Sequence, residues 1–180
     1  MTPNRQDGVR RAVVELEQHV AAAGWDGPVR LFALINTVAA LAADPALAQQ
    51  LPAEVVSQAQ ADPEHLTAVE QDALPEAGTL SELLHSISWP ATVTGAAVVV
   101  ERLVMPPHLA DQIPDDQQAA QTWVAEHPEH EELRLAAAVL RDGTRCCAVR
   151  SRLRDDDGSV ATGPDLVPGL TEAIGYTLQP

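Results

Sequence analysis

The sequence predicts an α+β fold in which a mostly antiparallel central sheet of about four strands packs against an N-terminal helical hairpin and a C-terminal helix. Three observations support this fold class. Apolar residues repeat at helical spacing near both ends of the chain, β-branched residues dominate residues 92–105, and Asp142-Gly143 separates two alternating segments. We expect residues 1–180 to form one domain, because this length supports a single sizeable core.

Two helices are expected at the N-terminus. Residues 9–23 carry the apolar stripe of an amphipathic helix, with Asp7 as a cap and Gly24 as the stop. Apolar residues also repeat at helical spacing from about Pro28 to Ala43, where Asp44-Pro45 ends the pattern. The two helices would form a hairpin.

The next segment changes from helical to extended character. We expect a short helical turn at residues 45–51 and a loop or a loose helix at residues 52–65. The stretch LTAVEQD (66–72) looks extended, and TLSELLHSI predicts a short helix with a capping box from Thr79 to Glu82.

Residues 92–105 predict a strand near the middle of the sheet, ended by Pro106-Pro107. Its valines and leucine point to both faces, which indicates cover on both sides. Residues 115–127 then predict a helix that is capped by Asp115 or Asp116 and buries Ala119, Ala120, Trp123 and Val124.

The hairpin around Asp142-Gly143 has a register that can be argued. A two-residue loop would place Leu135 opposite Arg150, whereas a loop one residue longer, with Gly143 in a bulge, puts seven apolar side chains on one face. These are Leu133, Leu135, Ala137, Val139, Cys147, Val149 and Leu153. The adjacent Cys146 and Cys147 should point to opposite faces as small buried residues. A last helix, capped by Asp165, would carry Leu166, Leu170, Ile174 and Leu178.

The stretch GWDGPVRLFALINT (24–37) holds Trp25 and Phe32, two of the chain's few aromatic residues. We interpret it as a joint between helices. Pro28 fits the first turn, Arg30 lies four residues after Asp26, and Trp25 can fold over the turn as a hydrophobic staple. The functional alternative is an anion site, in which the helix N-terminus and Arg30 receive a ligand beside the indole.

Further candidate binding residues lie along the predicted sheet. Arg150, Arg152 and Arg154 share a strand face with Glu132 across the hairpin, which favours a solvated ion-pair face over a docking surface for an acidic ligand or peptide. Trp89 is either a cover over the core or an exposed contact residue. Glu101 and Arg102 lie on the central strand and, with Arg30, could line a pocket.

Several classes of function are disfavoured by composition and motifs. Eleven Arg, no Lys and 26 acidic residues give a net charge of −15, which argues against nucleic acid and anionic membranes as partners. No apolar stretch resembles a signal or a membrane span, so we expect a cytoplasmic protein. His127 and His130 lack further ligands at a diagnostic spacing, and DDDGS (155–159) fits a calcium loop poorly. We therefore expect no metal, no cofactor and none of the common catalytic motifs.

Five segments together resemble an uncharacterised family of actinobacterial proteins of similar length. They are GWDGPVRLFALINT, HLTAVEQD, SWPATVTGAAVVVERLVMPP, HPEHEELRLAAAVLRDGTRC and DLVPGL. The resemblance implies an actinobacterial, cytoplasmic origin and supplies no activity, ligand or partner.

Three functional hypotheses follow. The leading one is a non-catalytic domain that binds a protein or peptide, since the sequence builds a fold without assembled chemistry. The alternative is a small-molecule-binding protein or enzyme with a pocket between the N-terminal helices and the sheet, using Arg30, Glu101 or Arg102. The third is homo-oligomer assembly through a strand edge or a helix face.

Overall fold

The computed structural model describes residues 4–180, which build one antiparallel sheet with helices on both faces. The strands are β1 (Arg30–Asn36), β2 (Leu66–Glu70), β3 (Gly95–Val104), β4 (Glu131–Leu140), β5 (Arg145–Ser151) and β6 (Ala161–Gly163). The α-helices are α1 (Arg5–Ala21), α2 (Thr37–Ala43), α3 (Ala53–Ala61), α4 (Leu80–His85), α5 (Gln117–Glu126) and α6 (Pro168–Thr177). The strand order is β2-β1-β3-β4-β5-β6. The α+β class with an antiparallel sheet is confirmed, but the sheet has six strands rather than about four.

The predicted N-terminal helical hairpin is wrong, because the second half of its pattern forms a strand. Residues 30–36 are β1, which pairs with β2 on one side and β3 on the other, and helix begins only at Thr37. Leu31, Phe32, Ala33 and Leu34 are all buried in succession. A short apolar run covered on both faces has no period that distinguishes a strand from a helix, so the pairing with two neighbouring strands decides its structure.

Two apolar layers lie on opposite faces of the sheet. α1 packs on one face, where Val13 and Leu16 meet Phe32 and Val99. α4 and α6 pack on the other, where Leu84 and Ile174 meet Leu31 and Val98. β3 contributes to both layers, which confirms the expected central strand.

Cys146 and Cys147 are divided between the two layers, as their adjacency predicts. Cys146 belongs to the α1 layer and Cys147 to the α6 layer, and both are free and buried. Burial raises the pKa of each thiol above its usual value. Both residues therefore pack as small apolar side chains.

The register of the β4–β5 hairpin is the one with the longer loop. Leu135 lies opposite Val149, and Ala137 lies opposite Cys147. The Leu140 N–H donates to the Thr144 carbonyl, which leaves a three-residue loop whose Gly143 has a φ of 87°. Leu153 departs from the prediction, because β5 ends at Ser151 and the side chain is 80% exposed.

The predicted caps are partly correct. Thr79 caps α4 and Asp116 caps α5 as expected, whereas Asn4 rather than Asp7 caps α1. α6 begins without a side-chain cap, and Asp165 instead accepts hydrogen bonds from Arg145. α5 buries none of its side chains fully, so the predicted packing of this helix is too deep: Ala119 is exposed, and Ala120, Trp123 and Val124 are half-buried.

Helix α1 passes so close to the turn before β2 at Gly8 that a methyl group there has no room. A Cβ at this position would lie 2.5 Å from the Glu64 carbonyl oxygen.

Replacing a helical glycine by alanine normally stabilises a protein by up to about 1 kcal/mol, but overpacking costs about 1–3 kcal/mol. Gly8→Ala should therefore lower the free energy of unfolding measured in urea. Gly169→Ala, with open space in α6, is the control and should not destabilise. A Gly8→Ala chain more stable than its parent would contradict this packing.

Candidate functional site

A buried ion cluster joins α1 to the central strands. Glu17 of α1 is 1% exposed, Arg134 of β4 is 0% exposed and Arg150 of β5 is 3% exposed. Arg150 donates from Nε and Nη2 to the two Glu17 oxygens at 2.7 and 2.9 Å, and Arg134 Nη1 lies 3.5 Å from Glu17 Oε1. We call these three residues the Glu17 triad. Hydrogen bonding to the Glu17 carboxylate raises the pKa of Arg150.

Trp25 covers the Glu17 triad from the loop between α1 and β1. The guanidinium carbon of Arg134 lies 4.2 Å from the centroid of the Trp25 ring, and that of Arg152 lies 5.5 Å from it. The indole N–H donates to Asp155 at 2.9 Å, and Arg134 donates to the Gly24 carbonyl. The predicted staple between helices is wrong, because there is no second helix at this point. The indole is held instead between two arginines and an aspartate.

The acidic turn at residues 155–157 completes the partners of Arg150. Arg150 Nη1 lies 3.3 Å from Asp155, and Nη2 lies 2.5 Å from Asp157. The Trp25 indole N–H, and after it the Arg150 guanidinium, lower the pKa of Asp155 below its usual range. The DDDGS stretch is thus bound to a buried arginine.

The three arginines predicted to share one solvated face have separate environments. Arg150 is buried, so the solvated face does not extend to it. Arg152 is exposed and pairs with Asp26 at 2.9 Å and with Glu132 at 2.5 Å, and these carboxylates raise its pKa. Arg154 lies beyond β5 in an exposed 3₁₀ turn and forms no ion pair within residues 4–180.

The predicted pair between Asp26 and Arg30 is also wrong. Arg30, now in β1, donates to both oxygens of Glu70 in β2 at 2.6 and 2.7 Å, which raises the pKa of Arg30 and lowers that of Glu70. Asp26 has a φ of 67°, and its N–H donates to Glu101 Oε2 at 2.8 Å. The loop between α1 and β1 therefore contacts the Glu101 side chain of β3.

Arg30 and Glu101 do line one cavity, of about 510 Å³, at the C-terminal end of α1. Glu70 and Arg134 also lie in its wall, but Trp25 does not. Arg134 Nε and Nη1 have no hydrogen-bond partner within the described part of the chain. Arg102 lies outside this cavity, so the predicted trio of Arg30, Glu101 and Arg102 is divided.

A larger groove, of about 840 Å³, lies beside the last residues of β3. Its walls come from residues 74–80, α4, α5 and Pro28-Val29, and its floor includes Glu101, Arg102 and Leu103. We call it the β3 groove. Ten of its sixteen lining residues are apolar: Pro28, Val29, Leu74, Pro75, Ala77, Leu80, Leu83, Leu103, Ala120 and Val124. The groove adjoins the smaller cavity, because Val29, Leu74 and Glu101 line both.

Trp89 covers the core and is only half-buried. Its indole N–H donates to Thr177 Oγ1 at 2.9 Å, and its ring packs on the α6 layer. Arg141 donates to the carbonyls of Trp89 and Pro90, which fixes the backbone before β3. Of the two readings open for Trp89 in the sequence, these contacts favour a cover over the core.

A hydroxyl–imidazole pair elsewhere is closed to substrates. Thr37 Oγ1 lies 2.7 Å from His65 Nδ1, a spacing suited to activating a nucleophile. Thr37 is buried, and its hydroxyl also bonds to Thr67 at 2.7 Å. The pair joins the start of α2 to β2, which is a structural role.

The histidine-rich turn makes only local contacts. His130 Nδ1 lies 2.7 Å from the His127 carbonyl, and the Glu129 N–H donates to the His127 ring. Within residues 4–180, no three His, Cys, Asp or Glu side chains are grouped as metal ligands would be. Over the same range, no helix has the length and apolar character needed to cross a bilayer.

The members of the Glu17 triad could be recognised only partly from sequence. Glu17 lies four residues after Val13 and next to Leu16, on the edge of the apolar stripe of α1, which is the one local signal that it is buried. Its partner Arg150 lies 133 residues away along the chain. No local pattern connects the two.

Comparison with known proteins gives a family. The family model described as PPA1309-like protein matches residues 9–179. No curated protein and no solved structure matches the chain.

The pair between Arg30 and Glu70 should make stability depend on pH. Folding lowers the pKa of Glu70 below its unfolded value of about 4.3, so its contribution is complete above that pH and is lost as the pH falls through the folded-state pKa. Glu70→Gln should lower the free energy of unfolding at pH 7, and the difference from the parent should shrink in acid. Glu54→Gln, on exposed α3, should have a smaller effect at pH 7. Urea titrations at several pH values that give the same loss in acid and at pH 7 would contradict the assignment.

Proposed function

The chain belongs to the PPA1309-like protein family, and we propose that it is a non-catalytic domain that binds a segment of another protein in the β3 groove. The observation that carries the proposal is the apolar lining of this groove in a chain whose net charge is −15. Concave apolar surface of this size is typical of binding sites. We further propose an actinobacterial, cytoplasmic origin, on the resemblance of five sequence segments and the complete use of Arg in place of Lys.

Leu103 is the residue that distinguishes this groove from ordinary packing. It extends from β3, where Val98, Val99 and Val100 are buried, yet it is 41% exposed and lines the groove. Exposing a large side chain at the end of a central strand forfeits burial that would otherwise stabilise the fold. A partner side chain that covers it would recover that free energy.

The arginines around the adjoining cavity and the Glu17 triad are already paired, which favours binding rather than catalysis. Arg30 pairs with Glu70, Arg150 pairs with Glu17, and Arg152 pairs with Asp26 and Glu132. Each of these guanidinium groups already has a carboxylate partner, so its role is to hold strands and loops. The groove itself is lined mostly by apolar side chains, with Glu101, Arg102, Gln117 and Gln121 among its polar residues.

A small-molecule site in the 510 Å³ cavity is the second candidate. Its specific support is the buried Arg134, whose Nε and Nη1 have no hydrogen-bond partner within residues 4–180 and whose side chain shares the cavity wall with Arg30 and Glu70. A thermal-shift screen of metabolites separates the two functions, since a ligand of this cavity would raise the melting temperature of the parent more than that of Arg30→Ala.

The groove can be tested by selecting binders from a displayed library of random linear peptides on the full chain. Leu103→Asp should weaken the Kd of selected peptides by about tenfold or more, because it places a charge in the apolar lining. Leu153→Asp is the matched control: this leucine is exposed and outside the groove, so the Kd should be unchanged. Both variants should keep the parent's melting temperature. A library that yields no binder, or binders equally tight for Leu103→Asp, would contradict the proposal.

A further inference from the structure

The residues of β3 that line the groove are consecutive, so the groove meets this strand along its edge. Side chains of neighbouring strand residues point to opposite faces of a sheet. Glu101, Arg102 and Leu103 nevertheless all line one groove. A surface in contact with three successive residues must run beside the strand rather than over one face.

This edge of β3 has no neighbouring strand within residues 4–180. β1 pairs with β3 only as far as Val99, which lies opposite Arg30. On the other side, β4 continues to pair through Val104, opposite Glu131. The last residues of β3 are therefore paired with β4 on one side and, within residues 4–180, form an unpaired sheet edge on the other.

The backbone groups that face the open edge can be assigned from the pairing pattern. The Leu31 carbonyl accepts from Gln71 after β2, and the Leu34 carbonyl accepts from Thr94 before β3. Because successive residues of a strand bond to alternate sides, Arg30 and its opposite residue Val99 bond across the β1–β3 pair. By the same alternation, the N–H and C=O of Glu101 and Leu103 point into the groove.

One of these free groups is covered by a neighbouring side chain. Arg102 Nη1 donates to the Glu101 carbonyl at 3.2 Å. An exposed side chain that bonds to its own strand edge is a form of edge protection that an incoming strand can displace.

We propose that the partner segment adds to β3 as an extra strand, in line with β1 and bonded to Glu101 and Leu103. The inference rests on the proposed function and specifies its geometry. Strand addition supplies backbone hydrogen bonds, and pockets on either side accept alternate side chains. Leu74, Leu80 and Val124 would receive the apolar side chains.

Charge indicates that the segment is basic as well as extended. Acidic residues adjoin the groove lining along the chain: Glu76 and Glu82 lie among the lining residues 74–83, and Asp115 and Asp116 precede Gln117 of α5. The groove lining itself holds one anion and one cation, Glu101 and Arg102. An extended segment that alternates apolar and basic residues matches this surface, and its affinity should fall as salt increases.

Hydrogen exchange by NMR tests the edge directly on the full chain. In the free protein, the amides of Glu101 and Leu103 should exchange fast, while that of Arg102, bonded to β4, should be protected. Adding a peptide selected in the display experiment should protect Glu101 and Leu103. Methylation of single backbone nitrogens of that peptide should abolish binding at every second position and leave it unchanged at the others, because only every second N–H faces β3.

Each of the other possible results contradicts a specific claim: the open edge, the basic partner, the strand addition or the proposed function. Protection of Glu101 and Leu103 in the free monomer would remove the open edge and overturn the inference, whatever the peptide does. A concentration-dependent dimer that Leu103→Asp dissociates would make a second copy the occupant and overturn the basic partner. A groove-binding peptide without alternation, or with helical periodicity, would overturn strand addition and leave the proposed function standing. A library without binders would overturn both.

Discussion

The buried carboxylate of Glu17 fixes α1 to the sheet beside the cavity that adjoins the β3 groove. Glu17 brings α1 onto β4 and β5 by meeting Arg134 and Arg150 inside the protein. Taking three charges out of water is costly and is offset only when their hydrogen bonds are nearly complete. Arg150 reaches this state through Glu17, Asp155 and Asp157, whereas Arg134 Nε and Nη1 have no hydrogen-bond partner within residues 4–180. The acidic turn after β5 is therefore part of the same constraint.

The same ion cluster also holds the loop that precedes β1. Arg134 holds the Gly24 carbonyl and stacks on Trp25, while Arg152 holds Asp26, so the loop after α1 is fixed over β4. Asp26 then meets the side chain of Glu101 rather than its backbone. β1 begins at Arg30 and pairs with β3 only as far as Val99, so within residues 4–180 the last residues of β3 have no strand partner on that side. One loop thus contacts the ion cluster through Gly24 and Trp25 and lines the groove through Pro28 and Val29.

The sequence predicts most elements whose signal is local and fails where contacts decide. The β4–β5 register followed from the position of Gly143 and the alternation around it. β1 was predicted as a helix because the apolar residues from Leu31 to Leu41 repeat at helical spacing, but LFAL is apolar on every side, and pairing with β2 and β3 makes it a strand. Of the candidate site residues, Arg30 and Glu101 share a cavity, whereas Arg150 lies buried away from Arg154. Glu17 was missed because its partners are distant in the chain.

A double-mutant cycle between Glu17 and Arg150 tests the central claim most directly. The free energies of unfolding of Glu17→Gln, Arg150→Met and the double variant are compared with that of the parent, and the exposed pair Arg5 and Asp142 is measured in the same way. A buried bidentate pair that positions α1 should show a coupling of about 3 kcal/mol or more, against about 1 kcal/mol or less for the exposed pair. Coupling at Glu17 and Arg150 no larger than at the exposed pair would contradict the account.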